Sequence, residues 1–144
     1  MDVATHALLG AVIGASAGVL APQGSEPLVV VAACALVATL PDSPLVLYRT
    51  RVHVPPKTYL FAHSIWPVIA IWFCVGPIYA VAYLSHIMID IPTHGPAWSA
   101  RLLYPIRWHF ACFEEWEWGN TSWRNGLVIT LLLGFLWTFL NRLS

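Results

Sequence analysis

Between Ala62 and Ile91 the chain is apolar almost throughout, broken near its middle by Gly76-Pro77 and toward its ends by His63, Ser64, Ser85, His86 and Asp90. Such a stretch has two ways to fold. A single helix kinked at Gly76-Pro77 would cross a bilayer once, since about 20 residues at 1.5 Å each suffice. A hairpin of two shorter helices, 62–74 and 78–91, would turn back at the same pair. The other apolar runs, 4–20, 28–40 and 126–141, are short as well. A bundle of uniformly short helices with their ends at the membrane interface is therefore self-consistent.

Composition places this bundle in a membrane. Of 144 residues, 58% are hydrophobic and only 10% charged, with a mean hydropathy of +0.69. Soluble domains carry about 25% charged residues, so this chain cannot cover a globule with charge. The expected fold is an all-α integral membrane protein, one domain over 1–144, with five short transmembrane helices (4–20, 28–40, 62–74, 78–91 and 126–141). A segment at 92–125 mixes Trp98, Trp108, Trp116, Trp118 and Trp123 with Arg101, Arg107, Glu114, Glu115 and Glu117, which suits the membrane–water interface. The first run is rich in Gly, Ala and Ser, residues that let membrane helices approach closely. The polar connection from 42 to about 61 is not expected to span.

A net charge of zero gives no broad basic surface for nucleic acid. Cys34, Cys74 and Cys112 are odd in number and lack CxxC spacing, which argues against a disulfide framework or a thiolate zinc site. The N-terminus lacks the basic region of a signal peptide.

The chemistry concentrates at His86 and Asp90. Four residues apart on a helix, an imidazole and a carboxylate share one face and can bind one cation. Pro92 is expected to end that helix and leave His94 just past it. In the hairpin arrangement His6 starts the first helix, Asp42 follows the second, His63 starts the third, and His86 and Asp90 lie near the end of the fourth. All then fall on one side of the membrane. A single span would instead put Asp90 and His94 across the bilayer from His6, Asp42 and His63. Ionisable groups at membrane depth are costly unless partnered, which favours the hairpin. Arg49, Arg51, Lys57, Arg101, Arg107 and Arg124 lie on the cluster side and only Arg142 opposite. The positive-inside rule then turns the cluster toward the cytoplasm.

Histidines with two aspartates form a ligand set suited to zinc, manganese or iron, singly or as a pair. Such a site activates water and polarises a phosphoryl or carbonyl oxygen, which is hydrolytic chemistry. Each residue also has a plainer reading. His86 and Asp90 make a buried hydrogen bond, His6 is an interfacial histidine, Asp42 is a turn residue, and His63-Ser64 starts a helix. His53 and His109 read as structural or solvent-facing. Ser64 lacks the GxSxG elbow of a nucleophile. Convergence of five such residues is what points to a metal site.

Thr5-His6-Ala-Leu-Leu-Gly10, Leu40-Pro41-Asp42, Ala62-His63-Ser64, His86-Ile-Met-Ile-Asp90-Ile-Pro-Thr93-His94 and Leu102-Leu103-Tyr104-Pro105 follow one another along the chain. In this order they resemble the YdjM-like family of membrane-bound metal-dependent hydrolases, over about residues 4–108. The resemblance implies a small multi-helix inner-membrane protein whose metal ligands are His6, Asp42, His63, His86 and Asp90. It also implies that the His-Ser motif begins one helix and the HxxxD motif lies on the next. Ser43-Pro44 stands where the family often has a second acidic residue, and Tyr59-Leu60-Phe61-Ala62 where it often has His-Arg. These departures favour a single metal over a pair.

The function expected is hydrolysis of an ester or phosphoester, with a lipid or other amphiphile as substrate, by metal-activated water, with zinc or manganese as the ion. His94 would be a further ligand or proton carrier, and Arg101 or Arg107 would hold a substrate phosphate. The alternative is a non-enzymatic membrane protein with a structural or ion-handling His/Asp site. Conduction would need polar residues continuing through the bilayer, and the first four helices carry few beyond Ser16, Thr39 and Ser85.

Overall fold

In a computed structural model of the chain, the described residues are 3–18, 26–47, 55–95 and 98–108, together with Leu131 and Gly134. They form α1 (Val3–Gly18), α2 (Pro27–Thr39), a 3-10 turn (Leu40–Asp42), α3 (Ser43–Leu47), α4 (Lys57–Ala62), α5 (Ile65–Cys74) and α6 (Pro77–Thr93), with no strand among them. The expected helix 126–141 lies outside the described residues except for helical Leu131 and Gly134, as do Trp116, Trp118, Trp123, His53 and His109.

α1 and α2 pack along each other at close range. A Cβ on Gly10 would collide with the Cys34 carbonyl and lie 2.6 Å from Ala38 Cβ, and one on Gly14 would lie 2.8 Å from Val31 Cα. The small-residue face read in the first run is thus the seam between these two helices. α6 then packs against α1, α2 and α5. Val68, Ala80, Tyr83, Ile87 and Ala100 form the buried core around it.

Residues 62–91 fold as the hairpin. α5 ends at Cys74, α6 begins at Pro77, and both Val75 N–H and Gly76 N–H donate to the Ile71 carbonyl at 2.9 Å. Gly76 has φ +140°, a conformation open to glycine and strained for other residues. Pro77 follows at the first helical position, where its missing N–H is not needed.

Three boundaries differ from the sequence expectation. The helix expected over 62–74 is broken at His63-Ser64. His63 closes α4, Ser64 is extended at φ −112° and ψ 172°, and α5 starts at Ile65. The Ile65 N–H finds its acceptor in the distant Leu102 carbonyl at 2.9 Å, so the segment after α6 helps hold this break. Second, the run expected to stop at Leu40 continues helically through Asp42 to Leu47. Pro41 and Pro44 each fall in the first turn of a new element, where proline is tolerated. Third, α6 runs past Pro92 to Thr93 before His94 turns extended. The N–H lost at Pro92 falls in the last turn, so little of the helix depends on it.

One stretch, Pro27–Leu45, is 19 residues long and apolar enough to cross a bilayer, and Val3–Ala17 and Ile65–Cys74 are shorter apolar helices. Large apolar side chains face outward, among them Leu28, Val29, Leu36, Trp72 and Phe73, the last 82% exposed.

Candidate metal centre

Four helical segments deliver one polar cluster. His6 comes from the first turns of α1, Asp42 from the 3-10 turn after α2, His63 from the break between α4 and α5, and His86 and Asp90 from successive turns of α6. His6, His63, His86 and Asp90 are fully buried, while the Asp42 side chain is 18% exposed.

Hydrogen bonds to backbone carbonyls fix the tautomers. His63 Nδ1–H donates to Tyr59 O at 3.0 Å, and His86 Nδ1–H donates to Ala38 O at 2.7 Å. Both Nε2 atoms are thereby turned into the cluster, the arrangement that readies imidazole for a metal. They lie 3.2 Å apart. Asp90 Oδ2 stands 3.2 Å from His63 Nε2 and 3.0 Å from His86 Nε2, and Asp42 Oδ1 stands 3.6 Å from each. Two imidazole nitrogens and two carboxylates thus face one point.

The spacing fits a cation. Four donors about 2.0–2.1 Å from one zinc ion stand about 3.3–3.4 Å from one another in a tetrahedron, and the five separations that involve a histidine run from 3.0 to 3.6 Å. Asp42, His63, His86 and Asp90 can hold a metal ion, their donor atoms all lying within 4.8 Å of one another.

His6 belongs to the cluster but not to that four. Its ring stacks on His86 with centroids 3.6 Å apart, and its Nε2 lies 3.2 Å from the other Asp90 oxygen, Oδ1. Neither ring nitrogen makes a hydrogen bond. His94, expected as a ligand or proton carrier, has Nδ1 3.2 Å from Asp90 O, 3.4 Å from Asp90 Oδ1 and 3.5 Å from Thr93 Oγ1. Thr93 gives its own hydrogen to Ile89 O. All three neighbours are therefore acceptors, so Nδ1 carries the proton and Nε2 the lone pair. Burial holds His94 below the usual imidazole pKa.

Tyr59 and Ala38 escape a reading of the sequence alone. The Tyr59 carbonyl orients His63, and its ring stacks on that imidazole at 3.9 Å. Burial, with the nearby charges of Asp90 and Asp42, raises the Tyr59 phenol pKa and keeps it neutral. The i, i+4 spacing of Tyr59 and His63 is the one signal that could have found it. Trp98, assigned to the interface, packs edge-on against Tyr59 at 5.3 Å. Arg101 is half-buried and Arg107 exposed in the segment that follows His94.

No protein-family model, characterised protein or solved structure matches this chain. The site is therefore read from its own geometry.

Proposed function

We propose that the chain is a membrane-embedded, metal-dependent hydrolase of the YdjM-like kind, acting on an ester or phosphoester of an amphiphile at the cytoplasmic face of the inner membrane. The observation that carries this is the buried meeting of His63 Nε2, His86 Nε2, Asp90 Oδ2 and Asp42 Oδ1 within reach of one cation. Two imidazoles with two carboxylates favour zinc, with manganese next.

A bound ion of this kind supplies Lewis acidity and lowers the pKa of water. The chain's own residues do the rest. Tyr59 O and Ala38 O fix the two imidazoles, and Asp42, the least buried of the four, marks the side from which substrate and water enter. His94, whose Nδ1–H is engaged by Asp90, offers Nε2 as a proton acceptor. Arg101 and Arg107 are the cations available to a substrate phosphate. Outward-facing large apolar side chains on α2 and α5, among them Leu28, Leu36, Trp72 and Phe73, support contact with lipid.

A second reading has its own support. The cluster ties together four separate segments, so an ion there could serve the fold alone. Metal analysis of detergent-purified protein separates these, alongside hydrolysis of p-nitrophenyl butyrate and bis(p-nitrophenyl) phosphate in micelles. The hydrolase reading requires bound metal and turnover of one probe, both lost in His86→Ala. Absence of metal from the intact protein overturns it. Metal without turnover of either probe leaves the structural reading.

A further inference from the structure

Asp90 turns its two oxygens toward two different sets of donors. Oδ2 faces His63 and His86 at 3.2 and 3.0 Å, whereas Oδ1 faces His6 Nε2 at 3.2 Å and His94 Nδ1 at 3.4 Å. The first set, with Asp42, is the four-donor position already described.

On the Oδ1 side the decisive residue is His6. It is 1% exposed, and neither of its nitrogens makes a hydrogen bond. A buried polar group left without a partner is costly, by about 1–3 kcal/mol. Yet Nε2 approaches a carboxylate oxygen to 3.2 Å without the geometry of a hydrogen bond. A buried imidazole nitrogen left facing a carboxylate oxygen at that distance is accounted for by a cation shared between them. The stacking of His6 on His86 holds the imidazole beside the first position. Carboxylates that bridge paired cations about 3.5–4 Å apart are the common design of two-metal hydrolytic sites.

We propose that Asp90 bridges two divalent cations, one held through Oδ2 with Asp42, His63 and His86, the other held through Oδ1 with His6. The inference rests on the metal reading above and extends it, since the residue pattern alone favoured a single ion. His94 acts in the second position as a positioning residue, its Nδ1–H fixing the Asp90 main chain and leaning on Oδ1.

The test uses the full chain in detergent, stripped with chelator, reloaded with Mn²⁺ alone, and read by metal analysis and electron paramagnetic resonance. The intact protein should hold two Mn²⁺ per chain with an exchange-coupled spectrum. His6→Ala should hold one, with an isolated-ion spectrum and unchanged helix content by circular dichroism. His6→Asp, which returns an oxygen donor, should restore the second ion and the coupling. One Mn²⁺ in the intact protein, or two retained in His6→Ala, overturns the second position and leaves the four-donor centre standing. Failure of His6→Asp to recover a second ion when His6→Ala has lost both also overturns it. No Mn²⁺ in the intact protein overturns both readings.

Discussion

His63 and His86 point their Nε2 atoms at each other across 3.2 Å, and each is locked into that pose by a backbone carbonyl bound to its Nδ1–H. Two imidazole nitrogens so placed, with two carboxylates at the same point, call for positive charge among them. Metal removal should therefore destabilise the fold. With free metal at about 1,000 times its dissociation constant, binding stabilises by about 4 kcal/mol. Chelation should lower the midpoint of thermal unfolding in detergent by about 10 °C. Asp90→Ala should unfold at the same temperature with or without chelator, because its centre has lost the carboxylate that faces both His63 and His86. An intact protein indifferent to chelator would count against a resident ion.

Much of this site could be read in the sequence because its members are polar residues in apolar surroundings. His6, Asp42, His63, His86 and Asp90 stood out for that reason, and the Gly76-Pro77 turn that gathers them is a backbone signal. What could not be read depended on tertiary contacts. The break at His63-Ser64 is held in part by Leu102 O, nearly forty residues on. The partition of His6 from the other four is a matter of which oxygen of Asp90 it faces. The carbonyls of Tyr59 and Ala38 carry no signature in residue type at all. Pro92 misled, since a proline in a last turn removes a hydrogen bond that the helix scarcely uses.

The seam between α1 and α2 predicts a packing defect. Gly10→Val adds a branched side chain where a Cβ already collides with the Cys34 carbonyl and crowds Ala38. Overpacking of a tight core usually costs about 1–3 kcal/mol, and here one obstacle is backbone, which cannot rotate away. Ala38 also supplies the carbonyl that orients His86. Gly10→Val should therefore lower both the unfolding midpoint and the metal affinity. Retained affinity would separate the seam from the centre.

Gly76→Ala tests the hairpin turn without touching a ligand. At φ +140° a Cβ is strained even though the space around it holds nothing nearer than Tyr79 at 3.7 Å. Strain of this kind costs on the order of 1–3 kcal/mol. The expected result is a lower unfolding midpoint with metal stoichiometry unchanged, since the folded hairpin still brings α6 back to His63. A variant as stable as the parent would show that the turn relaxes to another conformation.

Tyr83→Phe probes how α6 is registered against the break that carries His63. The Tyr83 hydroxyl donates to the Ala62 carbonyl at 2.8 Å, and the side chain is 4% exposed. Ala62 is the last residue of α4, where helical carbonyls run short of internal donors. Removing the hydroxyl leaves that carbonyl without this partner, at a cost of about 1–3 kcal/mol. Because Ala62 immediately precedes His63, slackening there should also reduce metal affinity, by about tenfold if it acts as outer-shell support does. Calorimetry of metal binding to Tyr83→Phe, beside its thermal unfolding, reads the two effects separately. A loss of stability with affinity intact would confine Tyr83 to the core and leave the orientation of His63 to Tyr59.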